Sequence, residues 1–460
     1  MDGRTLCSLP LHVVAELVRS KTVSPLELVE ATLAEIERAN PVLNCFISVF
    51  AEQAVARGRA LTEELAAGSY RGPLHGIPVS LKDNIETAGV LTTGGSAVLA
   101  GSVPDRDAGS WANLARSGAV LVGKNNLWEL AFGGPHPDYG PTWNPWDTSR
   151  TCGGTSSGSA SAVAAGLSFA SLGTDTGGSA RVPASLCGIV ALKPTFGLVP
   201  GSGVIPVSYS MDHVCPMSRN VRDASLVLSA MTSAPDQSAE GDLTRGLAGI
   251  TVGVMKLSGE DVVSEDVLSA FRGAMEVLGS EGASLREIEL PDLSTAGTAA
   301  RVVMDAEASD FHRELLRTQP DAIGVVARNR LQAAEFIPAT YYVRAQRVRR
   351  AMTDEVEKLL TTVDVIALPA VGVTAFQAAS DGFGVKGGEG SPLKRIGRFS
   401  PLFNLTGHPA VVLPCGIGSD GMPVSLQLVG RFMEDQRLLA IARGYERATD
   451  WSSRVPVPAG

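Results

Sequence analysis

Between Gly153 and Pro183 the chain reads GGTSSGSASAVAAGLSFASLGTDTGGSARVP. Two glycine pairs, each leading into hydroxyl side chains, bracket an Ala/Ser-rich run. Thr155-Ser156-Ser157 follow the first pair and Ser179 follows the second. Upstream, Lys82 stands at the centre of PVSLKDNI. A serine nucleophile needs a base, a route for its proton and a cradle for the oxyanion. These segments hold candidates for all three without a histidine or a metal. Gly177 and Gly178 lack Cβ, so the chain can turn tightly before Ser179 and aim successive N–H groups at one point. In an acyl-transfer site each such donor is worth roughly a hundred- to a thousand-fold in rate. Either glycine cluster alone reads as an ordinary loop. The pair, taken with the lysine, points to chemistry on a carbonyl.

A lysine acts as a base only when neutral, and an exposed lysine is almost fully protonated at neutral pH. Burial disfavours the charged form. Lys82 follows Ile77-Pro78-Val79-Ser80-Leu81, an apolar run that predicts a buried strand. Asp83-Asn84 then read as strand-end residues. The sequence therefore predicts a lysine projecting from a strand end into an enclosed site. The competing reading is a surface lysine paired with Asp83 or Glu86.

Several segments, in order, resemble the amidase signature family. They are GPLHGIPVSLKDNI at 72–85, GAVLVGKNNLWELAFG and NPWDTSR within 118–150, GGTSSGSASAVAAG and SLGTDTGGSARVPASLCGIVALKPT, then SPLFNLTGHPAVVLPCG and GMPVSLQLVGR within 400–431. The resemblance is weakest between about 235 and 335. It implies a Ser–cis-Ser–Lys triad with Ser179 as nucleophile and Lys82 as base. The bridging serine of the family falls on Thr155, a departure that keeps the hydroxyl but adds a methyl. A hydroxyl donates and accepts at once, as a proton relay must; Ser156 is the alternative relay. The resemblance also implies a cis Gly154–Thr155 peptide and an oxyanion hole lined by the N–H groups of Thr176, Gly177, Gly178 and Ser179. It places Ser156 and Arg181 among supporting polar residues. Asp175 and Arg181 flank the nucleophile and are expected to hold the loop rather than to touch substrate.

The expected reaction is attack on a small neutral amide, ester or carbamate, an acyl-enzyme, loss of the amine and hydrolysis. Trp128, Leu130, Phe132, Tyr139 and Trp143 are the candidate pocket residues; aromatics are 5% of the chain, so their concentration here suggests an apolar or aryl substrate group. Two alternatives stand beside this reading. One is the glutaminase (A) subunit of a tRNA-dependent amidotransferase, a member of the same family. Such a subunit needs an acid for the α-amino group of glutamine, whereas 390–409 holds Lys394, Arg395 and Arg398 and no acid. The other is a family member weakened by Thr155. No cofactor and no metal are expected. The six histidines are scattered, with His75 a possible lining residue, and Cys152 and Cys187 read as packing residues.

The elements that position these residues follow from the rest of the chain. In 460 residues, 44% hydrophobic content with 50 glycines and 27 prolines suits a large, loop-rich α/β core. The resemblance implies one amidase domain over 1–460 with a catalytic core at about 72–200. The expected architecture is a large mixed, twisted β-sheet covered by helices on both faces. Strand-like runs at 119–122, 188–192, 250–254, 363–368 and 410–413 alternate with helical periodicity, as at 261–279 and 339–361. Near the start, Ser24-Pro25-Leu26-Glu27 forms a capping box with proline at N1, and Asn40-Pro41 is expected to end that helix. The glycine-rich stretch Ser380–Pro392 reads as a loop that either borders the substrate entrance or is a surface insertion.

A net charge of −9 argues against nucleic-acid or anionic-membrane partners. No transmembrane run or secretory signal is evident, and the dispersed cysteines suit reduced thiols, so a cytoplasmic enzyme is expected. Its partner is a small-molecule substrate, with a homodimer left open.

Overall fold

The computed structural model describes residues 2–232, 246–257, 263–378 and 395–456. The Ser380–Pro392 stretch lies outside the described residues. Eleven strands join one mixed sheet. From one edge they run β1 (Phe46–Val49), β3 (Val120–Asn125), β2 (Pro78–Lys82), β6 (Ala170–Asp175), β8 (His213–Ser218) and β7 (Val190–Lys193). The order continues through β12 (Ala410–Ile417), β13 (Pro423–Val429), β11 (Val365–Pro369), β9 (Thr251–Met255) and β10 (Ser284–Ile288). A separate ribbon pairs β4 (Trp143–Asn144) with β5 (Asp147–Thr151). The five strand-like runs fall on β3, β7, β9, β11 and β12.

Period-two alternation assigns the two faces of the sheet. Val365, Ala367, Val411, Leu413, Leu426 and Leu428 pack with helices Val221–Thr232, Glu265–Ser280 and Asp435–Arg447. Their neighbours Ile366, Leu368, Ala410 and Val429 pack the other way, against helices Leu293–Thr318, Ala339–Leu360 and Pro401–Thr406. Both faces are thus covered by helices, the α/β arrangement expected from the alternating pattern.

The first long helix differs from its expected end. The capping box at Ser24 and Glu27 is present, but the helix runs over Pro25–Leu43, through Pro41, and stops at Asn44 in the left-handed region (φ 50°). Proline removes one helical N–H. Pro41 lies in the last turn, and the helix end beyond it is secured by the Asn40 side chain, which accepts from Cys45 N and Phe46 N, and by Asn44 N, which donates to Asn40 O.

Strands β3, β2 and β6 are parallel neighbours, so their carboxyl ends lie together. Leu81 of β2 sits opposite Leu172 of β6, which brings Lys82 alongside the end of β6 at Thr174 and Asp175. Val79, Leu81 and Leu172 face the first core. Lys82, one step further along β2, therefore faces the opposite side. There the helices Ser157–Ala164 and Arg181–Cys187 pack, each entered from one of the glycine clusters.

Candidate active site

Lys82 is completely buried, and its Nζ donates to Thr155 Oγ1 and to Thr174 Oγ1, each at 2.7 Å. Burial lowers its pKa to about 7, only partly opposed by Asp175, Asp212 and Cys215. Among the described residues no carboxylate pairs with it directly. Asp83, the partner in the competing surface reading, instead accepts from the Thr93 hydroxyl at 2.5 Å and lies 3.3 Å from the buried Lys124.

Thr155 leads into the helix Ser157–Ala164 and is 7% exposed. Ser156, the alternative relay, is committed elsewhere. Its hydroxyl donates to Thr174 O at 3.0 Å and accepts from Thr174 N at 3.2 Å. Ser156 N donates to Ser179 O at 3.1 Å, so the two glycine clusters are tied directly together. Among the described residues every peptide bond is trans, Gly154–Thr155 included, which corrects the expected cis peptide. Gly154 takes up the turn itself, with φ at 85°.

Ser179 is half-buried, and its hydroxyl makes no hydrogen bond among the described residues. The Thr155–Ser179 link of a relay is therefore not formed here; catalytic hydrogen bonds commonly tighten only in the substrate complex. The nucleophile loop is held from behind by Asp175. This carboxylate accepts from Gly178 N at 2.7 Å and, more loosely, from Ala180 N and Arg181 N. Arg181 Nε bonds Asp175 at 3.0 Å, while its Nη atoms reach Gln427, Asn404 and Ser400 O. Burial alone would raise the Asp175 pKa. The Arg181 charge and the hydrogen bonds from Arg181 and Asn404 reverse this and hold it well below the usual carboxylate range.

Because Gly178 N–H is occupied by Asp175, the donors left at the loop are those of Thr176, Gly177 and Ser179. At Gly178 a Cβ would fall 2.6 Å from Ser400 Cβ, and φ is 115°, so only glycine fits. A Cβ on Gly177 would meet nothing within 4 Å; the space beside it is open. Thr176 is fixed by its hydroxyl, which donates to Asp212 at 2.6 Å. Burial raises the Asp212 pKa to about 6, against hydrogen bonds from Thr176, Ser208 and Val207 and the charge of Lys82.

A cavity of about 870 Å³ opens over Thr155, Gly177, Gly178 and Ser179. Of the five expected pocket residues, Trp128 and Phe132 line it. Leu130 is fully buried in a core with Leu127, Val207 and Ile323. Tyr139 offers its carbonyl to Asn44, and Trp143 offers its carbonyl to Ser161. His75 is buried against Leu61 O and is not among the cavity walls. The far wall comes from helices Leu293–Thr318 and Val325–Ala334, including Arg301, Asp305 and Arg330. Sequence reasoning missed these, since they lie where the resemblance is weakest. It also missed Thr174, Asn404 and Gln427. All three sit inside quoted motifs, but only register across the sheet reveals whom they touch.

A third buried lysine, Lys193, donates to Pro194 O at 3.0 Å and lies 3.2 Å from His213 Nε2. The other ring nitrogen of His213 lies 3.2 Å from Asp175 O. Burial lowers the Lys193 pKa to about 7, reinforced by Arg181. All six cysteines are buried free thiols. Among the described residues no group of three or more His, Cys, Asp or Glu is placed to hold a metal. Among the same residues no helix is long and apolar enough to cross a membrane.

The mixed sheet holds the buried Lys82 against the Thr155 hydroxyl, and Thr155 lines one cavity with Ser179 on its glycine turn. The family profile Amidase matches residues 27–439, and the chain belongs to that family. It is 36% identical to the A-subunit of the glutamyl-tRNA(Gln) amidotransferase of Synechococcus elongatus over 478 aligned positions, covering 96% of this chain and 98% of the relative. Among solved structures, one described as an amidase superposes with a TM-score of 0.86 at 32% identity, covering 96% of this chain and 99% of that one. The A-subunit of the glutamyl-tRNA(Gln) amidotransferase of Thermotoga maritima superposes with a TM-score of 0.81 at 31% identity, covering 98% of each. The sheet is that of these amidase structures, and the family acts on C–N bonds.

Proposed function

We propose that this chain hydrolyses the C–N bond of a small carboxamide, with Ser179 as nucleophile, Thr155 as relay and Lys82 as base. The observation that carries this reading is the completely buried Lys82 amine, 2.7 Å from the hydroxyl of Thr155, which lines the same cavity as Ser179. Ser179 Oγ bonds to the carbonyl carbon while its proton passes through Thr155 to neutral Lys82. The N–H groups of Thr176, Gly177 and Ser179 stabilise the oxyanion. Collapse of the tetrahedral intermediate breaks the C–N bond and returns the proton to the departing amine. Water, deprotonated by the same route, then cleaves the acyl-enzyme. Esters and carbamates present the same carbonyl to the same groups.

A second reading, the glutaminase component of an amidotransferase, is favoured by the names of the relatives. It needs a carboxylate free to receive the ammonium group of glutamine. Among the described cavity residues the one acid is Asp305, and it is bound by both Arg330 and Arg301. That occupancy supports the stand-alone amidase. Ammonia release from glutamine and from a panel of primary amides by the purified chain tests the choice. Turnover of simple amides without glutamine hydrolysis is expected. Glutamine as the preferred substrate, with activity raised by the other components of an amidotransferase, would establish the second reading.

A further inference from the structure

The helices that line the cavity with Ser179 bring to it an unbalanced positive charge. Arg301, Met304 and Asp305 reach it at i, i+3 and i+4 of the helix Leu293–Thr318, so they share one helical face. Arg330 comes from the helix Val325–Ala334. Its guanidinium is fully committed. It lies 3.6 Å above the Phe132 ring, donates through Nη1 to Phe132 O at 2.7 Å, and grips Asp305 through Nε and Nη2. Arg330 and Asp305 therefore cancel as charges and act as a brace.

Arg301 is different. It donates through Nε to the second Asp305 oxygen at 2.6 Å, which fixes the plane of its guanidinium. Its Nη groups have no partner among the described residues, and the side chain is 57% exposed. Apolar side chains line the same cavity: Trp128, Phe132, Val182 and Ile396. A ligand in this cavity would thus meet apolar side chains together with an oriented pair of N–H donors of net positive charge. Planar guanidinium donors of this kind match a carboxylate.

Resting on the assignment of Ser179 as nucleophile, we propose that Arg301 selects amides that carry a carboxylate remote from the scissile bond. The substrate class is then the monoamide of a dicarboxylic acid, or an amide whose amine part bears an acid. Trp128 and Phe132 account only for the apolar half of such a molecule.

The test uses chromogenic esters that react readily with an active serine: mono-p-nitrophenyl adipate, which ends in a carboxylate, and p-nitrophenyl hexanoate, which does not. The parent enzyme should prefer the adipate in kcat/KM by about tenfold, the value of one charged hydrogen-bonded contact. That preference should shrink as salt is raised. Arg301→Met keeps the apolar stem and should erase the preference; Arg301→Lys should restore part of it. No preference in the parent, or the same preference in Arg301→Met, overturns the proposal. If neither ester is turned over, the nucleophile assignment fails instead. Calorimetric binding of adipamate to the parent and to Arg301→Met then judges the anion site: equal affinities, or none in either, would reject it.

Discussion

Lys82 Nζ and Thr155 Oγ1 lie 2.7 Å apart, although the two residues enter the site from opposite directions, one at the end of a strand and one before a helix. The contact joins the proposed base, which has no charged partner among the described residues, to a hydroxyl beside the loop of the proposed nucleophile. The Ser156 hydroxyl is instead held on both sides by the Thr174 backbone, which favours Thr155 over Ser156 for the proposed relay.

Thr155→Val keeps the shape of the side chain and removes the hydroxyl. It should lower kcat by about a hundredfold, the usual cost of a lost proton-transfer partner. Thr155→Ser should keep or raise activity, since only a methyl is removed. Steady-state kinetics on any accepted amide or ester provides the check. A Thr155→Val enzyme as active as the parent would move the relay to water.

Activity should rise with pH through about 7. Below that value Lys82 is protonated and cannot accept a proton; above it the amine is neutral. The direction follows from burial, which lowers the pKa of a lysine, and the limb in kcat/KM belongs to the free enzyme. Lys82→Arg should be nearly inactive across this range because a guanidinium stays charged. A flat pH profile of kcat/KM from about 5 to 9 would argue against a lysine base.

Thr174 is a positioning residue: it gives Lys82 its second acceptor and also accepts from Asn84 Nδ2 at 3.2 Å. Thr174→Val removes an acceptor that favours the charged amine. The acidic limb of the pH profile should therefore move to lower pH, while kcat falls as the amine loses its fixed direction. An unmoved limb would show that Thr174 contributes packing alone.

Asp175→Asn should cost stability more than any other single change at the site. It leaves the buried Arg181 guanidinium without its counter-charge, and breaking a buried pair in this way costs about 3–5 kcal/mol. Urea unfolding of the variant should show a lower midpoint at an unchanged slope. Full stability of the variant would mean that Gln427, Asn404 and Ser400 O suffice to hold Arg181.

The sequence made the catalytic segments legible because glycine pairs, hydroxyls and a lysine after an apolar strand are local signals. Six of the eleven strands followed from the same kind of pattern, their starts within two residues, while β3 and β12 run three and four residues further than expected. What stayed hidden depends on distant chain segments meeting. Arg181 is satisfied by Asn404 and Gln427 across the sheet, more than 200 positions away. The Arg301 and Arg330 wall comes from helices that carry no motif. Leu130, Tyr139 and Trp143 were grouped with Trp128 and Phe132 by proximity in sequence, but the turn at Leu130 (φ 52°) buries its side chain in a core, and the ribbon lies outside the cavity.

Covalent labelling of Ser179 addresses the central claim most directly. A fluorophosphonate incubated with the purified protein should add once, and peptide mapping should place the adduct on Ser179. Ser179→Ala should take up none, and Lys82→Arg should label far more slowly than the parent. An adduct on another residue, or equal labelling of the parent and Ser179→Ala, would contradict the assignment of nucleophile and base.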